Sequence, residues 1–158
     1  MNWQEVCEHP SLKDLPFKVE TNEYGQIVMT PVNNLRGILR GQIGYQLNLS
    51  FSTGHVLSSA AIRTSKGTKV ADVAWISFER WEQVKHEADA SQSPEICVDV
   101  ILAHYSERDV MQRKSLYFEA GAKEVWLCSE NGEMRFFNAD HELIHSESVP
   151  DFPLKIEV

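Results

Sequence analysis

Apolar and polar positions along this chain repeat with two different periods, and the switches between them mark out its elements. FKVE and QIVMT alternate about the turn NEYG and predict a β-hairpin. HVLSSAAIRT and TKVADVAWIS are two further strands joined at SKG, and PEICVDVILA is a nearly continuous apolar run, the pattern of a strand buried on both faces. KEVWLCS and EMRFFN, turned at ENG, complete the strands. Helical spacing takes over in four places. Residues 1–14 predict a short helix ending near Pro10. Asn33 or Asn34 caps a helix running to about Asn48, with Ile38, Leu39, Gln42, Ile43 and Leu47 at helical spacing. Its glycines at 37, 41 and 44 suggest close packing against another element. SFERWEQVKH predicts a short helix followed by the polar loop EADASQSP. SERDVMQRKSLYFEAGA reads as a well-marked helix, with Ser106 and Asp109 at its start and Gly121 as its stop. The succession predicts a mixed sheet with helices packed on it, an α/β or α+β fold.

Length and charge narrow this picture. At 158 residues the chain fits one domain, 1–158, with no repeat or long linker. No apolar run approaches the roughly 20 residues of a membrane helix, and MNWQEVCEHP is unlike a signal peptide, so the expectation is a cytoplasmic protein with no membrane partner. A net charge of −8 argues against a sequence-blind nucleic-acid coat, whose affinity comes from phosphate neutralisation. It leaves two local basic clusters, Arg36 with Arg40, and Arg63 with Lys66 and Lys69, each readable as a phosphate contact or as solvated surface charge. Cys7, Cys97 and Cys128 form neither a disulfide framework nor a zinc pattern, and the last two sit in apolar runs as buried thiols do. His141 and His145 have helical spacing but fall in a strand-and-turn segment, where they would not converge on a metal.

The chain carries no GxGxxG, P-loop, GxSxG or HExxH motif. It does place Asp72 within VADVAWI and Asp99 within ICVDVIL. A carboxylate inside so apolar a strand is costly to bury unless it meets a metal, a cation or hydrogen-bond donors. Two such residues on long strands are candidates for one shared site. The alternative is that each sits at a sheet end or pairs with an arginine for structure alone. A nuclease of the Asp, spacer, (Asp/Glu)-x-Lys type puts its lysine two residues after the second acid, and here that position is Ile101. A site of this kind must draw its cation from elsewhere, and the following helix offers Arg113 and Lys114.

The run from KVETNEYGQIVMTP through TKVADVAWIS and PEICVDVILA to GAKEVWL and the closing PDFP resembles the Uma2 (DUF820) family, regarded as endonucleases of the PD-(D/E)XK superfamily. The resemblance implies a restriction-endonuclease-like core, Mg²⁺-dependent (or Mn²⁺-dependent) phosphodiester hydrolysis in nucleic acid, most simply DNA, and a homodimer. It puts Glu20 on an early acidic position, Asp72 on the first metal-binding aspartate (with Ala71 for the usual proline), and Asp99 where glutamate is general. Gly121 and Trp126 match structural positions. The family lysine falls on Arg113, with Lys114 beside it, whereas helical periodicity points Lys114 nearer the centre of the apolar face. Arg36 stands where histidine is frequent, and Leu102 where serine is. Two expectations follow. In one, Asp72 and Asp99, with Glu20, hold Mg²⁺, Arg113 or Lys114 stabilises developing charge, and Arg36 and Arg40 hold the nucleic-acid backbone. In the other, the rewritten motif marks a nuclease-fold protein that no longer cleaves and serves as a binding or regulatory module.

Overall fold

The computed structural model describes residues 1–158. Helix α1 (Trp3–Glu8) and a 3₁₀ turn (Pro10–Leu12) precede the hairpin of β1 (Phe17–Thr21) and β2 (Ile27–Pro31). Then follow α2 (Asn34–Ser50), β3 (His55–Thr64), β4 (Gly67–Ile76), α3 (Phe78–Val84), β5 (Ile96–Ile101), α4 (Glu107–Glu119), β6 (Glu124–Ser129), β7 (Met134–Phe137) and a two-residue β8 (Glu142–Leu143). β1 and β2 form their own two-stranded sheet; the other strands make a six-stranded sheet in the order β3-β4-β5-β6-β7-β8. Every neighbouring pair in it is antiparallel except β5 and β6, which are parallel. A parallel pair needs a crossover, and α4 supplies it.

Helix α2 covers one face, where Leu39, Ile43 and Leu47 meet Val73, Val98, Val100 and Trp126. Helix α4 covers the other, where Val110 and Tyr117 meet Ala71, Ala74, Cys97 and Val125. Period-2 alternation in β5 therefore sends Val98 and Val100 to one core and Cys97 to the other. The C-terminal tail closes the first core with Phe152 and Ile156.

Local signals end the helices where the sequence predicts. Asn33 accepts from the Arg36 N–H through its side chain, Ser106 accepts from Asp109 N–H at 3.1 Å, and Gly121 stops α4 at φ +110°. Two expectations for α2 are corrected. Its buried stripe is Arg36, Leu39, Ile43 and Leu47, while Ile38 is half exposed and Gln42 is exposed. The 3.6-residue period runs through positions 36, 39, 43 and 47, so an arginine occupies a core register. Nor do its glycines mark a close approach: nothing lies within 4 Å of a Cβ built at Gly37 or Gly41, and Gly44 makes ordinary contact with Val56 and Val73. No helix is long and apolar enough to cross a membrane.

Candidate functional site

The site begins where the sheet comes apart. β4 and β5 pair at Trp75–Ile96, Ala74–Cys97 and Val73–Val98, and there the ladder stops. One step further Asp72 and Asp99 stand opposite each other, and their side chains replace the missing backbone pairs. Asp99 Oδ1 accepts from the Asp72 N–H at 3.1 Å, and Asp72 Oδ2 accepts from the Val100 N–H at 2.9 Å. On the other edge of β4 the pairing with β3 skips Asp72, opposite Ser59, whose φ is +64°. Arg40 fills that gap: its Nε donates to the Asp72 carbonyl at 3.3 Å, and its Nη2 reaches the Ser58 and Ser59 hydroxyls.

β1 lies over β4 and brings two more side chains to the fork. Glu20 Oε2 accepts from the Val70 N–H at 2.6 Å. Lys18, on the same face of β1 by alternation, sets its ammonium 3.4 Å from Asp72, 3.7 Å from Asp99 and 3.8 Å from Glu20. From α4, Arg113 forks across Glu20 at 3.0 and 2.8 Å and turns its Nε to Asp99 Oδ2 at 3.0 Å. The Tyr117 hydroxyl, one turn on, donates to the same Asp99 oxygen at 2.8 Å. Arg36 donates to Asp72 Oδ1 at 2.6 Å from beneath α2.

Burial by itself would raise the pKa of Glu20 and of Asp99. Arg113 and Lys18 overcome it and hold both carboxyls below the usual carboxylate range. Burial also pushes the Tyr117 phenol well up, so it remains a donor. These groups form one charge cluster, with four cations, Lys18, Arg36, Arg40 and Arg113, around three buried acids, one positive charge in excess.

Glu20, Asp72, Asp99 and Arg113 thus converge, as do Arg36 and Arg40. Lys114 does not: its ammonium lies 4.5 Å from the Phe137 ring centroid, over the far side of α4. Neither Arg36 nor Arg40 is a solvated surface charge, for both turn inward on Asp72. In the other basic cluster Arg63 pairs with Asp89 at 3.1 Å, Lys66 lies 4.0 Å from Glu23, and Lys69 donates to the Thr21 carbonyl at 2.9 Å. Sequence reasoning missed Lys18 and the hydroxyl of Tyr117. The signal for Lys18 was available, because a strand puts residues 18 and 20 on one face.

The donor chemistry can be set against the divalent ion that the resemblance implies. All six carboxylate oxygens of Glu20, Asp72 and Asp99 already accept from protein N–H or O–H groups. Mg²⁺ requires oxygen ligands in near-octahedral geometry at about 2.0–2.1 Å. To gain them it would have to displace Lys18 and peel Arg36 and Arg113 from their partners. No group of three His, Cys, Asp or Glu side chains is arranged to hold a metal. The residues present do not fit the ion.

A six-stranded mixed sheet with one parallel pair and helices on both faces is a mixed α+β fold, here with an acidic cluster at a strand fork. No family model matches the chain, and no curated protein matches it in sequence. Among solved structures the fold is that of a protein from Anabaena variabilis described as a candidate nuclease belonging to DUF820, with a TM-score of 0.70 over 93% of this chain and 85% of that one. At 12% identity the likeness is one of fold, the fold that the sequence resemblance implies.

Proposed function

We propose that this chain is a distant DUF820-like protein that keeps the nuclease scaffold but has exchanged its divalent metal for built-in cations, and that it works as a binding or regulatory module. The observation that carries this reading is the Lys18 ammonium, within 3.4–3.8 Å of all three acids. It supplies between the carboxylates the positive charge that a metal would supply, and Arg113 and Arg36 complete the neutralisation. An ammonium and guanidinium groups stabilise negative charge, but they do not lower the pKa of a bound water as a divalent ion does. Arg36 and Arg40 turn inward on Asp72, and the net charge is −8, so a broad phosphate-binding face is not favoured either.

The second reading is the metal-dependent endonuclease, with Asp72 and Asp99 as ligands and Glu20 beside them. Its support is the convergence of three acids on one point and the fold shared with a candidate nuclease. Calorimetric titration with Mg²⁺ and Mn²⁺, together with a plasmid-nicking assay, separates the two. The expected result is no saturable divalent binding and no nicking by the folded wild type. Nicking that requires Mg²⁺ or Mn²⁺ and disappears in Asp72→Asn would overturn the metal-free reading.

A further inference from the structure

On the far side of Asp72 from Arg113 lies a cavity of about 560 Å³, between the N-terminal segment and the sheet. That is within the range of small-molecule sites, roughly 300–1,000 Å³. One part of its lining is apolar, with Trp3, Val6, Leu12, Phe17, Val19 and Val32. The other part is cationic, where Lys18, Arg36 and Arg40 come forward beside Asp72.

Arg36 is the informative residue. It is only 2% exposed, and its Nη2 is used by Asp72, yet Nε and Nη1 are buried without any hydrogen-bond partner. A buried donor left unsatisfied costs about 1–3 kcal/mol, and more when it belongs to a charged group. Asp72 does not relieve it: its Oδ1 takes Arg36 Nη2 and Lys18, and its Oδ2 takes the Val100 N–H. Nε–H and Nη1–H lie on different edges of the planar guanidinium, so each offers a separate charge-assisted donor to an oxygen of a carboxylate or phosphate.

The cover of the cavity is able to move. Every hydrogen bond made by residues 1–12 stays within that segment, among them Asn2 with Glu5, His9 with Ser11, and the backbone bonds of α1 and the 3₁₀ turn. Only side-chain packing, chiefly the buried Val6, ties it to the body of the protein. Segments held in this way open at low free-energy cost.

We propose that this cavity binds a small organic anion, with an acidic oxygen head group on Arg36, Lys18 and Arg40, and an apolar, ring-sized body against Trp3, Val6 and Phe17. The proposal rests on the metal-free placement of Lys18 and Arg36 at Asp72, and its readout, anion binding at the α1 side, is separate from divalent binding and nicking, so the two readings fail separately. Entry displaces the α1 cover and lets a head-group oxygen meet an orphaned N–H of Arg36.

The test uses the full chain and three probes: phenyl phosphate, benzoate and inorganic phosphate. Binding is read by calorimetry and by the Arg36 Nε–H resonance in ¹H–¹⁵N spectra, identified by its absence from Arg36→Lys. Saturable binding of phenyl phosphate or benzoate with a shifted Arg36 Nε–H resonance is expected, the better of the two reporting the preferred head group. Inorganic phosphate should bind at least about tenfold more weakly, since it leaves the apolar wall unused. Trp3→Ala, on the self-contained N-terminal segment, should weaken the aryl probe and leave inorganic phosphate unchanged; it serves as the second variant should Arg36→Lys fail to fold. Absence of saturable binding by both aryl probes up to about 10 mM would overturn the proposal. Binding that leaves the Arg36 resonance unmoved, or that is insensitive to Trp3→Ala, would overturn it as well.

Discussion

Asp72 and Asp99 clasp each other across a fork in the sheet, one step beyond the last paired residues of β4 and β5: the Asp72 N–H donates to Asp99 Oδ1 at 3.1 Å. This contact and the Val100 N–H on Asp72 make the two acids part of the strand connection as well as of the charge cluster. Structural and site roles are therefore superimposed on the same carboxylates, and substitution of either changes stability before it changes any site chemistry.

Asp72→Asn keeps the side-chain shape but removes the charge facing Arg36 and Lys18. Breaking one partner out of a buried ion pair costs about 3–5 kcal/mol, because the other charge is left uncompensated. Urea denaturation should show a loss of that order. Removing both partners, as in Asp72→Asn with Arg36→Met, should recover about 1 kcal/mol or more relative to the sum of the single variants. Strict additivity would show that the 2.6 Å contact contributes no coupling.

Acid should unfold the protein through the same acids. Glu20 and Asp99 have folded-state pKa values below their unfolded ones, held there by Arg113 and Lys18 against the effect of burial. A depressed carboxylate contributes stability that is fully present above its unfolded pKa, near 4, and is lost as pH falls through the folded value. Urea midpoints should therefore decline from about pH 5 downward and keep declining below about pH 3. Glu20→Gln and Asp99→Asn should each flatten this acid limb while lowering stability at pH 7. An unchanged limb in both variants would contradict the assigned cause.

Much of the frame was legible in sequence because period and punctuation agree. The strand patterns around Ala74 and Val98, the cap at Ser106 and the stop at Gly121 all lie where local chemistry demands. The convergence of Asp72 and Asp99 was legible as well, since two acids in apolar strands require partners. What was hidden depends on tertiary placement. Arg36 sits in a core register of α2, and only the nearness of Asp72 makes an arginine tolerable there. Lys18 reads locally as an ordinary polar residue of a hairpin. Its ammonium becomes a central charge only because β1 folds over β4. Lys114 was misleading for a related reason: the helical wheel put it near the apolar face, and the long side chain runs over Phe137 instead of into the core.

Arg113 and Lys114 should respond to mutation very differently. Arg113 spans Glu20, Asp99, the Val70 carbonyl and Tyr117, which an ammonium cannot reproduce. Arg113→Lys should cost about 2–4 kcal/mol in urea denaturation. Lys114→Ala removes a stacking contact with Phe137 and should cost no more than about 1 kcal/mol. Equal losses in the two variants would contradict the placement of Arg113 at the acids.

The thiols give a test of the two cores that is independent of the charge cluster. Burial pushes the Cys97 thiol up to about 12 and the Cys128 thiol up to about 11, whereas Cys7 is exposed. Thiolate is the reactive form, so the buried pair should be inert in the folded protein. At pH 8 an aromatic disulfide reagent should label Cys7 in the native state and reach all three sulfurs only in denaturant. The raised values also set an alkaline limit. Unfolded thiols ionise near 8.5 and the folded ones do not, so the unfolded state gains as pH rises from about 8.5 toward 11. Urea midpoints should fall over that window, and the fall should shrink when Cys97 and Cys128 are both replaced by alanine. Rapid native-state labelling of Cys97 or Cys128 would mean that the sheet faces they occupy open far more readily than their complete burial implies.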